Sequence, residues 1–249
     1  MTTVPPLSDG GCQLWWARTA DVGPEHDALL DEAELRRISR LRGADDRRRA
    51  TAGVALARLL LGVHAGRPAE RLRVDRCCPR CGAPHGKPRL PEVPDLHFSV
   101  SHSGGWVAVA VRRGAPVGVD VEEVGSWTAA ELHDLALVTL APEERAVLSR
   151  TPAAARATAF ATYWTRKEAA VKATGTGLLA PLPELVVSPP TAPPRVLRWG
   201  GSGATAPPHL RTVGAPAGYA AALALLASPA DVVPADAGPL LRRAAGCPG

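Results

Sequence analysis

Three short apolar runs separated by tight turns restrict the fold of this chain more than any other feature. The runs are LHFSVS, WVAVAVRR and PVGVDVEE, and the segments HSGG and GAP stand between them. Alternating or continuous apolar residues bounded by Gly and Pro are typical of antiparallel strands joined by turns. The middle of the chain is therefore predicted to form a meander of three antiparallel strands.

Helical patterns stand on both sides of these strands. A strand is predicted at residues 12–18, followed by helices at 25–42 and from the capping residue Asp46 to Gly62. After the meander the predicted elements are helices at 128–148 and 160–174, the second closed by Gly175, and a last strand at 219–226. Strand, helices and strands therefore occur twice in the same order.

This order predicts an α+β fold, a pseudo-dimer of two similar halves that each pack a small antiparallel sheet with helices. The predicted boundaries are residues 1–115, 116–227 and a tail at 228–249. The tail contains several Pro and Ala residues, and we expect it to be disordered. Residues 188–218 are dense in Pro and Gly and are predicted to form a loop around a short RVLRW strand.

Composition excludes some classes of protein and leaves others open. No run approaches the roughly 18 apolar residues of a membrane span, and the first residues lack a basic stretch and an apolar core, so we expect a cytoplasmic protein. Five cysteines are an odd number and argue against a disulfide framework. A net charge of +5 suits polyanionic partners, which include nucleic acids, phosphorylated cofactors and acidic proteins.

Lysine is rare in this chain, and the few lysines fall in two short segments. The 29 basic residues comprise 26 Arg and three Lys, as expected from a strong G+C coding bias. Lys87, Lys167 and Lys172 are therefore positions where a compact ammonium group is expected to matter.

Asp120 and Glu122 stand two residues apart in an extended run, so both carboxylates project from the same face of a strand. Two like charges this close need a cation or hydrogen-bond donors, and a pair of oxygen ligands suits Mg²⁺. The alternative is an exposed acidic strand edge.

A second group lies in the helical segment WTRKEAAVKATGTG. Trp164, Glu168 and Lys172 follow one another at four-residue spacing and share one stripe of the helix. A Glu–Lys pair at this spacing is also an ordinary surface salt bridge, worth ~0.3–0.5 kcal/mol. The lysine and the Gly-containing loop after it favour a ligand site.

A third group comprises Lys87 in HGKPRL together with Ser101 and His102 in a turn at the end of a strand. Hydroxyl, imidazole and backbone N–H groups at such a turn can hold a phosphate. A hydrolase with Ser101 as nucleophile is disfavoured, because neighbouring residues of a strand point to opposite faces and no G-x-S-x-G segment is present.

The segment CCPRCGAPHG has partial zinc-site spacing, with Cys78, Cys81 and His85 as ligands. A closed structural site needs four ligands, and the fourth would be Cys77 or a distant residue. The sequence favours the other interpretation, small thiols in a loop that leads to Lys87.

Four motifs in order, HGKP, FSVSHSGGWV, VGVDVEE and WTRKEAAVKATGTGL, resemble the 4′-phosphopantetheinyl transferases of the long, surfactin-synthetase-activating type. The resemblance runs from about Arg36 to Val187. It implies two α+β halves, an N-terminal half that binds coenzyme A and a C-terminal half with metal-binding and catalytic residues, with coenzyme A and Mg²⁺ in the cleft between them.

The resemblance further implies Mg²⁺-dependent transfer of the 4′-phosphopantetheine arm of coenzyme A to a serine of an acyl, polyketide or peptidyl carrier protein, with release of adenosine 3′,5′-bisphosphate. The family resemblance also implies a monomer without nucleic-acid or membrane partners.

The same resemblance assigns roles to individual residues. It implies metal ligands at Asp120, Glu122 and Glu168, and a cation on the phosphates at Lys172. It implies contacts with coenzyme A at Arg37, Arg49, Lys87, Ser101, His102, Asp120 and Lys172, with His102 at the 3′-phosphate. Glu144 resembles a carboxylate near the metal, so the implied catalytic residues are Glu168, Lys172 and Glu144. Two other interpretations remain, a basic nucleic-acid-binding adaptor with a zinc knuckle and a regulator that binds a nucleotide-like cofactor without transfer.

Overall fold

The structure is a computed structural model that describes residues 4–125, 127–177, 181–200 and 206–246. Its strands are β1 (Cys12–Arg18), β2 (Leu96–Ser103), β3 (Trp106–Arg113), β4 (Val117–Glu123), β5 (Val186–Val187), β6 (Val196–Arg198), β7 (His209–Thr212), β8 (Tyr219–Leu225) and β9 (Val232–Asp236). Its helices are α1 (Glu32–Ser39), α2 (Ala44–Ala65), α3 (Ala129–Thr139), α4 (Pro142–Arg150), α5 (Ala153–Thr174) and α6 (Gly238–Ala245).

The chain forms two compact units, one of residues 1–115 with 230–249 and one of residues 116–229. In each unit a 22-residue helix, α2 or α5, packs against a small sheet. The α+β fold of two similar halves is therefore confirmed. In the described residues no helix is long and apolar enough to cross a membrane.

The first unit contains a four-stranded sheet in the order β2-β3-β1-β9, in which β9 runs parallel to β1 and the other neighbours are antiparallel. Helix α2 covers this sheet and buries Leu56, Leu60 and Leu61 completely. It approaches β2 closely at Gly53, where an added Cβ would lie 2.8 Å from Val100 Cγ1. The helix therefore needs glycine at this position.

The helix boundaries differ from the predicted ones because other residues provide the caps. Asp31 divides the predicted 25–42 helix, since its side chain accepts the Glu34 N–H and starts α1. Helix α2 starts after Gly43, so Asp46 lies inside it and is not its cap. The helix also continues past Gly62 to a left-handed Gly66, with φ of 65°.

The predicted tail is ordered where the structure describes it, so the expectation of disorder over 228–249 was wrong there; residues 247–249 lie outside the described residues. Strand β9 pairs with β1, and Leu241 of α6 is completely buried. The Leu241 carbonyl also lies 3.1 Å from the ring nitrogen Nε2 of the buried His26. The segment completes the core of the first unit, a contact between distant parts of the chain that local composition does not reveal.

The second unit contains an antiparallel sheet in the order β4-β8-β7 and a β5-β6 ribbon. Strand β4 pairs with β8, so the predicted three-stranded meander holds only for β2 and β3. The predicted 128–148 helix is two helices, because Pro142 starts α4 after an extended Ala141. Helix α5 starts earlier than predicted, at Ala153, and ends at a left-handed Gly175 as predicted.

Candidate functional site

The face of β4 that carries Asp120 packs directly on α5. Gly118 shows the closeness of this packing, because an added Cβ would lie 2.0 Å from the Ala169 carbonyl oxygen and 2.4 Å from the Ala173 backbone nitrogen. Side chains two apart on a strand share a face, so Asp120 and Glu122 project from the same side as Gly118. The glycine and the small residues of the helix therefore bring the carboxylates of β4 to α5.

Asp120 and Lys172 form an ion pair across this contact. The Lys172 ammonium nitrogen lies 2.6 Å from Asp120 Oδ1. The Asp120 side chain is 4% exposed and that of Lys172 is 30% exposed, so a buried carboxylate meets a cation that reaches solvent. This pairing offsets the desolvation of the carboxylate.

Glu168 lies one helical turn before Lys172 and is half-buried. Burial raises the pKa of its carboxyl group, the negative charge of Asp120 raises the pKa further, and Lys172 opposes both. The like charges of Asp120 and Glu168 therefore act on one another. Carboxylate oxygens are the donors that Mg²⁺ prefers, so the chemistry of Asp120 and Glu168 suits this ion, and Glu122 would add a third carboxylate from the same strand face. Among the described residues, however, these three carboxylates do not form a group of ligand atoms close around one point, so their role as metal ligands stays a prediction.

The structure places Glu144 in a different group of residues. Its carboxylate accepts the N–H groups of Ala141 and Val187 and lies 2.5 Å from the Lys167 ammonium, and both charged side chains are almost completely buried. Lys167 also donates to the carbonyls of Thr139 and Leu182. Glu144 thus holds α4, α5 and β5 together, which favours a structural role; its assignment as a catalytic residue near the metal stays a prediction.

The same network explains Lys167, the lysine to which the sequence assigned no role. Burial lowers the pKa of its ammonium group, while Glu144 opposes that shift. Three hydrogen-bond donors meet three acceptors in this pocket. A planar guanidinium group has a different donor geometry, so the position calls for lysine.

A cavity of about 210 Å³ lies in the first unit, between α2 and β2. Its basic lining includes Arg37 and His102, two residues that the resemblance assigned to coenzyme A. Arg58 and Glu34 also line it, but they pair with each other at 2.7 Å. The remaining charge of the lining is positive, which favours an anionic ligand.

Arg76 also lines this cavity, although no motif of the sequence indicates a role for it. Burial lowers the pKa of its guanidinium group to about 10, and the charge of Arg37 contributes to the shift. Two arginines that repel one another beside a cavity favour the binding of an anion there. In the sequence, Arg76 is distinguished only by its position directly before the Cys-rich loop. Because the chain has 26 arginines, such a position alone does not indicate a binding residue.

Three other predicted contacts of coenzyme A lie apart from this lining. Arg49 pairs with Asp46 and donates to the Gly104 carbonyl in the β2–β3 turn. Ser101 is buried within β2, and alternation along the strand points it away from the face that carries His102. Lys87 lies half-buried in the loop before β2, where burial lowers the pKa of its ammonium group to about 8. The cofactor roles of these residues stay predictions.

The chain matches two family models that together span most of its length. Residues 16–113 match the N-terminal model of 4′-phosphopantetheinyl transferases, and residues 116–224 match the 4′-phosphopantetheinyl transferase superfamily. The second match contains Asp120, Glu168 and Lys172. The two matches meet where the first unit gives way to the second.

Curated relatives carry the same family name. The chain is 36% identical to a 4′-phosphopantetheinyl transferase of Bacillus subtilis over 39% of its own length and 42% of the relative. It is 38% identical to the L-aminoadipate-semialdehyde dehydrogenase-phosphopantetheinyl transferase of Eremothecium gossypii, over 62% of the chain and 58% of the relative. It is 32% identical to the 4′-phosphopantetheinyl transferase HetI of a Nostoc species, over 68% and 69% respectively. The chain thus spans about half the length of the first two relatives.

Proposed function

Because this chain belongs to the 4′-phosphopantetheinyl transferase superfamily, we propose that it transfers the 4′-phosphopantetheine arm of coenzyme A to a serine of an apo acyl or peptidyl carrier protein and releases adenosine 3′,5′-bisphosphate. The observation that supports this proposal most is the group of Asp120, Glu168 and Lys172, which combines two interacting carboxylates with an ammonium group on adjacent elements.

The reaction requires the charge of a pyrophosphate to be balanced while an alcohol attacks it. Lys172 supplies one positive charge at the face of β4. Asp120, Glu122 and Glu168 would hold Mg²⁺, which supplies further positive charge for the phosphate oxygens when it is bound. The donor and the metal dependence are both part of the proposal.

The transfer step breaks a phosphoanhydride bond and forms a phosphoester bond. The serine oxygen attacks the phosphorus that carries the pantetheine arm and forms a new O–P bond. The bond from this phosphorus to the bridging oxygen of the pyrophosphate breaks, and adenosine 3′,5′-bisphosphate leaves with the electron pair. The serine proton passes to a carboxylate, and we assign this role to Glu168, either directly or through a water molecule.

The first unit supplies residues that bind the donor. The cavity lined by Arg37, Arg76 and His102 is smaller than the roughly 300–1,000 Å³ of most ligand pockets, so it takes one phosphate-bearing part of coenzyme A and not the whole molecule. Charge-assisted hydrogen bonds from arginine are well suited to that part. We assign the 3′-phosphate to this cavity.

A transfer assay tests the proposal. The full chain is incubated with coenzyme A, Mg²⁺ and an apo carrier protein, and the carrier is analysed by intact-mass spectrometry. The expected result is a gain of ~340 Da, the mass of the transferred arm, that disappears with a Ser→Ala carrier or with a chelator in excess over Mg²⁺. No gain on acyl or peptidyl carriers would contradict the proposal.

A further inference from the structure

The Cys-rich loop before β2 has a defined structure that the proposed transfer does not use. Asp75 and Arg89 close its base, since the backbone N–H of each donates to the carbonyl of the other at 2.9 Å. Within the loop, the Gly82 N–H donates to the Cys78 carbonyl and the Cys78 N–H donates to the Ala83 carbonyl. The loop is therefore folded on itself by backbone hydrogen bonds.

A tight turn at Cys78–Gly82 brings two thiols to the same side. It ends at Gly82, whose φ of 72° is the left-handed conformation that glycine adopts easily. The backbone N–H groups of Arg80 and Cys81 donate to the Cys78 sulfur. These hydrogen bonds fix the sulfur in place and provide partial positive charge, as a thiolate ligand requires.

The return segment of the loop adds an imidazole to the two thiols. Cys81 Sγ lies 3.0 Å from His85 Nε2, and the ligand atoms of Cys78, Cys81 and His85 all lie within 4.8 Å of one another. The sequence alone favoured thiols without a metal. The structure changes this interpretation because it places all three potential ligand atoms around one point.

We propose that Cys78, Cys81 and His85 bind one zinc ion. Thiolate and imidazole are the ligands that zinc prefers in proteins, whereas Mg²⁺ and Ca²⁺ prefer oxygen. Bonds of ~2.3 Å to sulfur and ~2.0 Å to nitrogen in a tetrahedral site separate these atoms by roughly 3.5 Å. The observed 3.0 Å between Cys81 Sγ and His85 Nε2 requires a change of only about half an ångström.

Among the residues that the structure describes, this site has three protein ligands and not four. Cys77 is adjacent in sequence, but its sulfur lies 3.6 Å from the Gly82 carbonyl oxygen and 3.9 Å from that of Cys78, both hydrogen-bond contacts with the backbone. Cys81 and His85 are exposed, so water can complete the tetrahedron. Cys77 therefore serves as a matched control for the two cysteine ligands.

The site has a consequence for donor binding that rests on the proposed function. His85 is separated from Lys87 by Gly86, whose N–H donates to the Arg76 carbonyl at 2.7 Å. An added Cβ at Gly86 would lie 2.8 Å from the Cys77 carbonyl oxygen. The loop segment that contains Gly86 therefore packs tightly against the segment that contains Cys77. A zinc ion at His85 fixes the segment that carries Lys87 and leads to Arg76.

Metal content tests the zinc site without reference to transfer. The full-length protein, prepared with and without added zinc and then desalted, is analysed by elemental mass spectrometry. We expect about one zinc per chain in the wild type and in Cys77→Ser, and less than about one tenth of this in Cys78→Ser and Cys81→Ser. His85→Gln is expected to bind zinc more weakly than the wild type.

Cobalt substitution and circular dichroism complete the experiment. Co²⁺ is expected to give a sulfur-to-metal charge-transfer band that is present in Cys77→Ser and absent in Cys81→Ser, while both variants keep the wild-type far-ultraviolet spectrum. Equal zinc loss in Cys77→Ser and Cys81→Ser, a metal-free wild type after zinc addition, or a Cys78–Cys81 disulfide found by thiol titration of the denatured protein would each overturn the proposal. None of these results depends on whether the carrier gains mass.

Discussion

The ammonium nitrogen of Lys172 lies 2.6 Å from Oδ1 of Asp120, and this pair joins the last turn of α5 to the middle of β4. The contact is possible because Gly118, two residues before Asp120, has no side chain to separate the strand from the helix. Burial raises the pKa of Glu168, one helical turn before Lys172, and the charge of Asp120 raises this pKa further. The close packing of β4 on α5 and the interactions between these charged groups therefore involve the same face of β4.

Replacing Lys172 is expected to affect both turnover and stability. Lys172→Met removes a cation from the pyrophosphate and leaves the buried Asp120 charge unbalanced. The kcat for transfer is expected to fall by at least about 100-fold. The free energy of unfolding is expected to fall by roughly 2 kcal/mol, which is less than for a fully buried ion pair because Lys172 is partly exposed. Asp120→Asn/Lys172→Met should recover stability in denaturant titrations but not transfer. Recovery of both would contradict the role of Lys172.

Gly118 is expected to tolerate no side chain. Gly118→Ala places a Cβ against backbone atoms of Ala169 and Ala173, which no side-chain rotation can relieve, and is expected to cost about 3 kcal/mol or more. Gly214→Ala is the control, since nothing lies within 4 Å of an added Cβ there. The measurement is the denaturant midpoint of each variant. Equal midpoints would show that the packing of β4 on α5 is looser than described.

Glu144 is expected to support the fold and not the chemistry. Glu144→Gln leaves the buried Lys167 ammonium without its carboxylate, which costs ~3 kcal/mol and lowers Tm by about 6–12 °C. At a temperature where the variant stays folded, kcat should remain within about threefold of the wild type. The exposed Glu143→Gln serves as control for both measurements. A collapsed kcat with an unchanged Tm would instead support the catalytic assignment of Glu144.

Arg76 is expected to contribute to donor affinity. Arg76→Ala removes one charge-assisted hydrogen bond, so the KM for coenzyme A should rise about tenfold with kcat unchanged. Arg73→Ala, an exposed change three residues away, should leave KM unchanged. Calorimetry with coenzyme A and with its 3′-dephospho form separates the contributions. An equal loss of affinity for both ligands would place the 3′-phosphate elsewhere.

The sequence predicted the elements with strong local signals. The alternating runs of β2 and β3 and the glycine that ends α5 were correct because these signals act within a few residues. The pairing of β4 with β8 was missed, as was the order of the tail, because both depend on partners about 100 or more residues away. Strand β7 was missed too, since it lies within a segment dense in Pro and Gly.

Residue spacing within the motifs predicted which side chains of the candidate site share one face of a helix or strand. The four-residue spacing of Glu168 and Lys172 and the two-residue spacing of Asp120 and Glu122 describe one helix stripe and one strand face. Spacing could not predict the buried partner of Glu144, because Lys167 comes from a different helix. It also could not predict the Arg76 cavity or the position of His85 beside two thiols, which depend on how the loop folds back.

The most direct test of the account compares carrier modification by Glu168→Gln and Glu143→Gln. Both changes remove one carboxylate, but Glu168 lies half-buried beside Asp120, whereas the exposed Glu143 pairs with Arg198 at 2.8 Å. Circular dichroism and coenzyme A binding confirm that each variant is folded. The account predicts that the ~340 Da gain on the carrier is lost with Glu168→Gln and retained with Glu143→Gln. A folded Glu168→Gln variant that modifies the carrier at the wild-type rate would contradict the account.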